Sequence, residues 1–332
     1  MSGAIRRTIT PITLLLALAT LAAPGLAAAQ QAKKMWRVGW VGSGPGSGRT
    51  SQFLDALREG LRELGYMEGR NLVVEARWAE PADRAADLTA ELVGLRVDVI
   101  VTQGPAVYGV KKSAAATPIV FGFSGDPIVA GFIASLARPG GNLTGMTFLS
   151  LELAGKRFEL LKEAVPGVAR VAILANPQHP GEHLELGESQ SAARRLGLAV
   201  QYHPVRVPKE LEDAFVAMTR DRAEAIVAFP DALINSHGKA IAEFAAKRRI
   251  PSVSGWGQFA ADGNLMTYGP NLRDSFKHLA VYVDKVLRGT KPADLPVEQP
   301  TRFELVINLK TAKALGLTIP KSILVRADQV IQ

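Results

Sequence analysis

The chain has 332 residues, about twice the usual size of one domain, so two lobes are expected, each with its own core. Hydrophobic residues make up 47% and charged residues 21%, which excludes a disordered or fibrous chain. The formal charge is +8, of which Arg6 and Arg7 supply two; the remaining +6 is spread among acidic residues, without the aromatic-interleaved basic clusters of a nucleic-acid binder.

The first stretch reads as a secretory leader over residues 1–29. Arg6 and Arg7 form its charged start, Ile12 to Ala23 an apolar run, and Ala27-Ala28-Ala29 a small-residue cleavage signal. The absence of cysteine excludes a disulfide framework, a thiolate metal site and a lipid-anchored N-terminus at that point. A periplasmic protein, exported by the general secretory route, is the expectation.

Beyond the leader, strand and helix patterns alternate, the signature of a doubly wound α/β fold with mainly parallel sheets. Trp36 to Val41 is a strand that runs into the glycine-rich Gly42-Ser-Gly-Pro-Gly-Ser-Gly48, and a helix follows with Phe53, Leu54, Leu57, Leu61 and Leu64 on its apolar face. Strands are predicted at 72–76, 97–102, 118 onwards and 142–148, with helices at 83–94 and 106–116. A second series begins with a helix at 152–165 and continues with strands at 168–175, 199–205, 225–229, 251–253 and 265–268. Helices are predicted at 182–196, 210–220, 236–248 and 271–287. The tail holds a proline-rich segment, 291–300, then a strand at 303–308 and a short helix at 309–315. These elements divide the chain into an N-terminal lobe, 36–150, a C-terminal lobe, 151–290, and an extended segment, 291–332, that crosses or completes the lobes.

The two series correspond. Val38 aligns with Val171 and Pro118 with Pro251, both 133 residues apart; Asp98 aligns with Glu224 at a spacing of 126, and Gly141 with Gly263 at 122. The drift falls in loops, where insertions are tolerated. The pattern is an internal pseudo-repeat.

Ligands of open parallel sheets bind beyond the carboxyl ends of the strands. The loops there carry Ser43, Gln103, Ser124, Asp126, Asn176, Asp231, Trp256 and Tyr268, and if the lobes face each other they line one cleft. Asp126 and Asp231 suit either a ligand amine or the capping of a turn. Trp256, in a Gly-Trp-Gly setting just past a strand, suits a ligand wall or packing beneath a loop.

Other chemistries fit poorly. The glycine-rich loop has Arg49 where a phosphate loop needs lysine, and Gly42 and Gly44 are followed by Ser47 where the dinucleotide spacing needs glycine. No G-x-S-x-G elbow exists. His179 and His183 have i, i+4 spacing, but Pro180-Gly181 between them keeps the pair off one helix face, so no metal site is expected. Neither a cofactor nor a catalytic residue is expected.

Several segments together resemble one family. They are Leu64-Gly-Tyr-Met-Glu-Gly-Arg-Asn71, Val97-Asp-Val-Ile-Val-Thr102, Ile119-Val-Phe121 with Gly125-Asp-Pro127, Ser135-Leu-Ala-Arg-Pro-Gly-Gly-Asn-Leu-Thr-Gly145, Tyr268-Gly-Pro-Asn271 and Phe303-Glu-Leu-Val-Ile-Asn-Leu-Lys-Thr-Ala-Lys-Ala-Leu-Gly316. They resemble the substrate-binding proteins of ABC transporters that include tryptophan-binding members. The resemblance implies two Rossmann-like lobes of the type I periplasmic-binding-protein kind, hinged around a small ligand such as an aromatic amino acid or related carboxylate. It places site loops at Ser43, Gln103, Ser124, Asp126, Thr147, Asn176, Asp231 and Trp256, and implies a monomer that docks on an ABC permease in the inner membrane. A sensory module that hands its signal to a membrane receptor would use the same cleft; a hydrolase on a doubly wound sheet would need a catalytic group not found in the sequence.

Overall fold

The computed structural model describes residues 34–44, 46, 49–149 and 151–332; the leader expected over 1–29 lies outside them. The first lobe is built from β1 (Trp36–Ser43), α1 (Arg49–Glu63), β2 (Leu72–Ala79), α2 (Ala85–Gly94), β3 (Val99–Gln103), α3 (Ala106–Ser113), β4 (Ile119–Phe123) and β5 (Leu143–Thr147). Its strands form a parallel sheet in the order β2-β1-β3-β4-β5. β3, β4 and β5 are buried along their whole length, as strands covered on both faces must be, and β4 has no polar side chain at all.

The second lobe contains α4 (Leu151–Ala164), β6 (Arg170–Ala175), α5 (Glu182–Arg195), β7 (Ala199–Pro204), α6 (Glu210–Arg220), β8 (Ala225–Ala228), α7 (Ala232–Ser236), α8 (Gly238–Arg248), β9 (Ser252–Ser254), α9 (Gly257–Ala261) and β10 (Met266–Pro270). After α10 (Leu272–Leu287), the chain returns to this lobe with β11 (Phe303–Asn308), α11 (Leu309–Ala314), α12 (Lys321–Leu324) and β12 (Gln329–Ile331). The sheet order is β12-β11-β10-β9-β8-β6-β7, with β11 antiparallel to β10 and every other pairing parallel.

Taken in its own chain order, the run β7-β6-β8-β9-β10 repeats the order of the first sheet. The register agrees: Val38 of β1 faces Val99 of β3, and Val171 of β6 faces Ala225 of β8. Even the turn before the third strand is duplicated. Arg96 and Arg222 both take left-handed backbone angles, φ 56° and 54°. Just after them, Asp98 Oδ2 accepts the Arg37 N–H at 2.8 Å, and Glu224 Oε2 accepts the Arg170 N–H at 3.0 Å. The predicted pseudo-repeat is a structural duplication.

Three segments join the lobes: one after β5, one after β10 and one before β11. Residues 292–298 run beside β5, where Glu298 bridges to Met146 before the chain enters β11. Helix α10 differs from the division drawn in sequence order. It packs on α1 and against the first sheet, joining Phe276, Leu279 and Val283 to Trp40, Leu57 and Leu61 in one core. Its apolar face matches that sheet better than the second lobe, whose faces are already covered by α4, α5, α6 and α8.

The helix expected at 236–248 is α8, which begins two residues later and is preceded by a separate short helix, α7. Asp231 caps the short α7 by accepting the Leu233 and Ile234 N–H groups, and the chain restarts as α8 after His237. Helix α9, α12 and β12 were too short to show a period in the sequence. Among the described residues no helix is long and apolar enough to cross a membrane.

Candidate functional site

The carboxyl ends of both sheets face a cleft of about 520 Å³ between the lobes. The first lobe contributes Ser43 at the end of β1, Gln103 at the end of β3, Ser124 just past β4, Phe148 just past β5, and Gln52 and Phe53 on α1. The second contributes Asn235 and Ser236 on α7, Trp256 and Gln258 at the start of α9, and Glu304 on β11. Asn271 and Phe276, at the start of α10, complete the lining between the lobes.

The polar groups are held by the strand ends that carry them. Ser43 Oγ accepts the Ala106 N–H at 2.9 Å and donates to the Gln103 carbonyl at 3.0 Å, while Gln103 Nε2 donates to the Ser43 carbonyl at 3.2 Å. These bonds clip β1 to β3 at the start of α3. Ser124 Oγ lies 2.9 Å from His179 Nε2, which belongs to the second lobe. His179 lies in the turn before α5, while His183 sits on α5 itself.

The apolar walls are aromatic. Phe53 stacks on Phe276 at 4.3 Å between ring centroids, and Phe148 meets Phe276 edge-on at 5.6 Å. Across the cleft stands Trp256, 7% exposed, whose indole Nε1 has no hydrogen-bond partner. Charge is sparse. Arg273 at the rim is paired with Glu59 of α1, and Glu304 receives a hydrogen bond from Asn271 Nδ2 at 2.8 Å. Burial pushes the Glu304 carboxyl above its usual range.

Of the residues singled out in the sequence, Ser43, Gln103, Ser124 and Trp256 line this cleft. The other five do structural work beside it. Asp126 Oδ1 caps a turn by accepting the Ile128 and Val129 N–H groups, and Asn176 Oδ1 accepts the Gln178 N–H at 3.0 Å. Thr147 is buried and donates to the Gly125 carbonyl at 2.8 Å. Asp231 is 2% exposed, with Oδ1 used as a helix cap and Oδ2 unpartnered, and burial pushes its carboxyl up to about 7. Tyr268 packs on the second core, and its carbonyl accepts Arg157 Nε at 3.1 Å.

Sequence reasoning missed Phe53, Phe148, Phe276, Asn235, Gln258 and Glu304. The phenylalanines lie on faces that read as core, and nothing in a periodic pattern separates a core wall from a cleft wall. Glu304 sits in a strand whose sheet neighbour, β10, is antiparallel to it, so the parallel-sheet rule gave no reason to search there.

Two hinged α/β lobes of duplicated topology, with an aromatic and amide-lined cleft between their strand ends, define a solute-binding protein of the type I periplasmic-binding fold. Residues 47–331 match the model of the ABC transporter substrate binding protein family, and the chain belongs to that family. It is 22% identical over 271 residues to a tyrosine-binding protein of Clostridioides difficile strain R20291, covering 80% of this chain and 77% of that one. Among solved structures, an ABC domain from Streptococcus pneumoniae in complex with L-Trp is 26% identical, with a TM-score of 0.82 over 90% of this chain and all of that one. A conserved domain protein from Vibrio cholerae O1 biovar El Tor is 25% identical with the same TM-score and coverage. The chain is therefore a solute-capturing protein of an ABC transport system.

Proposed function

We propose that this protein captures an aromatic amino acid in the interlobe cleft, outside the cytoplasm, and delivers it to an ABC permease. The observation that carries the reading is the pairing of Trp256 on one lobe with the Phe53–Phe276–Phe148 group across the cleft. Lobe closure would sandwich a flat apolar side chain between them and remove it from water. Ser43, Gln103, Ser124 and Gln258 supply hydrogen bonds around that slot. The named ligands of the similar proteins, L-Trp and tyrosine, support the same class. Export rests on the leader read in residues 1–29, and the permease partner on the family.

The test is thermal unfolding of the purified protein, first unfolded and refolded to strip carried ligand. The melt is repeated with L-tryptophan, L-tyrosine, L-phenylalanine, L-leucine and L-glutamate. A ligand at 100 times its Kd stabilises by about 2.7 kcal/mol. The reading requires a shift with aromatic amino acids that exceeds the shift with leucine and is lost in Trp256→Ala. A shift confined to glutamate or leucine would overturn it.

A further inference from the structure

Glu304 has an acceptor to spare. It stands on β11 opposite Gly269 of β10 and faces the cleft beside Asn271 and Gly257. Oε2 is held by Asn271, whereas Oε1 has no hydrogen bond and no ion pair among the described residues. The space before it is kept open by a glycine: a Cβ on Gly257 would come within 2.8 Å of Oε1. The surrounding charge offers no relief. Asp274 and Asp328 act with burial to raise the Glu304 pKa, and the cation at the cleft rim, Arg273, is taken by Glu59.

The other carboxylates considered for an amine at the strand ends are committed. Asp126 caps the turn at Ile128, and Asp231 caps α7 from a position closed to the cleft. A partly buried carboxylate with an open oxygen and no cation paired to it is a site for an external cation.

We propose that Glu304 is the counter-ion for the α-ammonium of the ligand, so that the protein selects amino acids over their deaminated acids. The inference rests on the aromatic amino-acid reading above and adds which end of the ligand meets the second lobe. Closure would bring the ammonium to Oε1 and replace lost hydration by a charge-assisted hydrogen bond. A deaminated analogue would leave the same carboxylate enclosed and unpaired, and sites built this way reject the incomplete ligand by large factors. The aromatic end would then point across the cleft toward the phenylalanine group, with the ligand carboxylate near the serine and amide groups of the first lobe.

The experiment is calorimetric titration of stripped wild type and Glu304→Gln with four probes: L-tryptophan, L-tyrosine, 3-indolepropionate and 3-(4-hydroxyphenyl)propionate. Glutamine keeps the shape of Glu304 and the bond to Asn271, and loses the charge. Wild type is expected to prefer the amino acids by roughly 100-fold. In Glu304→Gln the amino acids should weaken at least tenfold while the deaminated acids hold or tighten, which collapses the preference. Wild-type affinity for L-tryptophan should also fall as pH drops through the raised carboxyl pKa, and the variant should lose that dependence. Equal loss of amino acids and deaminated acids in the variant would make Glu304 a structural residue and overturn the proposal. So would unchanged binding of all four. If wild type binds an aliphatic or acidic amino acid in place of all four probes, the aromatic reading itself fails, an outcome distinct from a failure of Glu304 alone.

Discussion

Ser124 Oγ and His179 Nε2, 2.9 Å apart, tie the end of β4 in the first lobe to the loop after β6 in the second. The same loops are joined by the Asp126 N–H, which donates to the Pro180 carbonyl at 2.9 Å. Burial pushes the His179 pKa down to about 4, so the ring is neutral at physiological pH. An unfolded histidine titrates near 6.5, so between that value and about 4 the unfolded chain binds the extra proton. Stability is thus complete above pH 6.5 and declines as pH falls toward 4, by at most about 3 kcal/mol. His179→Gln should flatten this part of the curve. Thermal melts from pH 7.5 to 4 check it, and an unchanged slope would assign the acid sensitivity elsewhere.

The Asp231 carboxyl has the opposite sign. Its pKa is raised, so the fold favours the protonated form and stability is lost as pH rises from about 4 to about 7. Each unit of that interval is worth about 1.4 kcal/mol. Asp231→Asn retains the oxygen that caps α7 and removes the charge. The variant should gain on wild type by a few kcal/mol at pH 8 and by little at pH 4, as read from urea unfolding at the two pH values.

Arg157 and Glu185 form an ion pair of 2.6 Å with both side chains 4% exposed. Burial opposes both charges, and each is kept by the other. Arg157→Met strands Glu185 and should cost about 3–5 kcal/mol, whereas Arg157→Met with Glu185→Leu should recover most of it. Denaturant midpoints of the two single variants and the double variant decide the matter through their coupling.

Glycine has unequal duties here. A Cβ on Gly269 would come within 1.9 Å of the Gly255 carbonyl oxygen, where β10 passes the strand-end loop that carries Trp256. Gly269→Ala should cost about 3 kcal/mol or abolish soluble expression. At Gly167 nothing lies within 4 Å, and Gly167→Ala should shift the melt by less than about 1 kcal/mol in either direction.

Much of the architecture is legible in the sequence because the strands announce themselves. Ile119 to Phe123 and Val171 to Ala175 are apolar on both faces, as a sheet covered twice must be. The duplication is visible through residues that fix turns, such as Asp98 and Glu224. The site is less legible. Ser43, Gln103, Ser124 and Trp256 follow from strand ends alone, but the same rule also selects Asp126 and Asn176, whose side chains are spent on their own turns. Only geometry tells a capping aspartate from a free one. Glu304 escapes because its position depends on the return of the chain tail to the second sheet, a contact between segments far apart in sequence.

Helix α10 lies late in the chain yet closes the core built by its beginning, with Phe276 and Leu279 against Trp40 and Leu57. Neither half can therefore be made by cutting the gene at residue 150. A fragment ending there would present an uncovered apolar sheet face to water, and the remainder would carry an amphipathic helix with nothing to lie on. Co-expressed halves should find each other, which makes this chain suited to a split reporter whose reassembly is driven by the helix and the segment 292–298 beside β5.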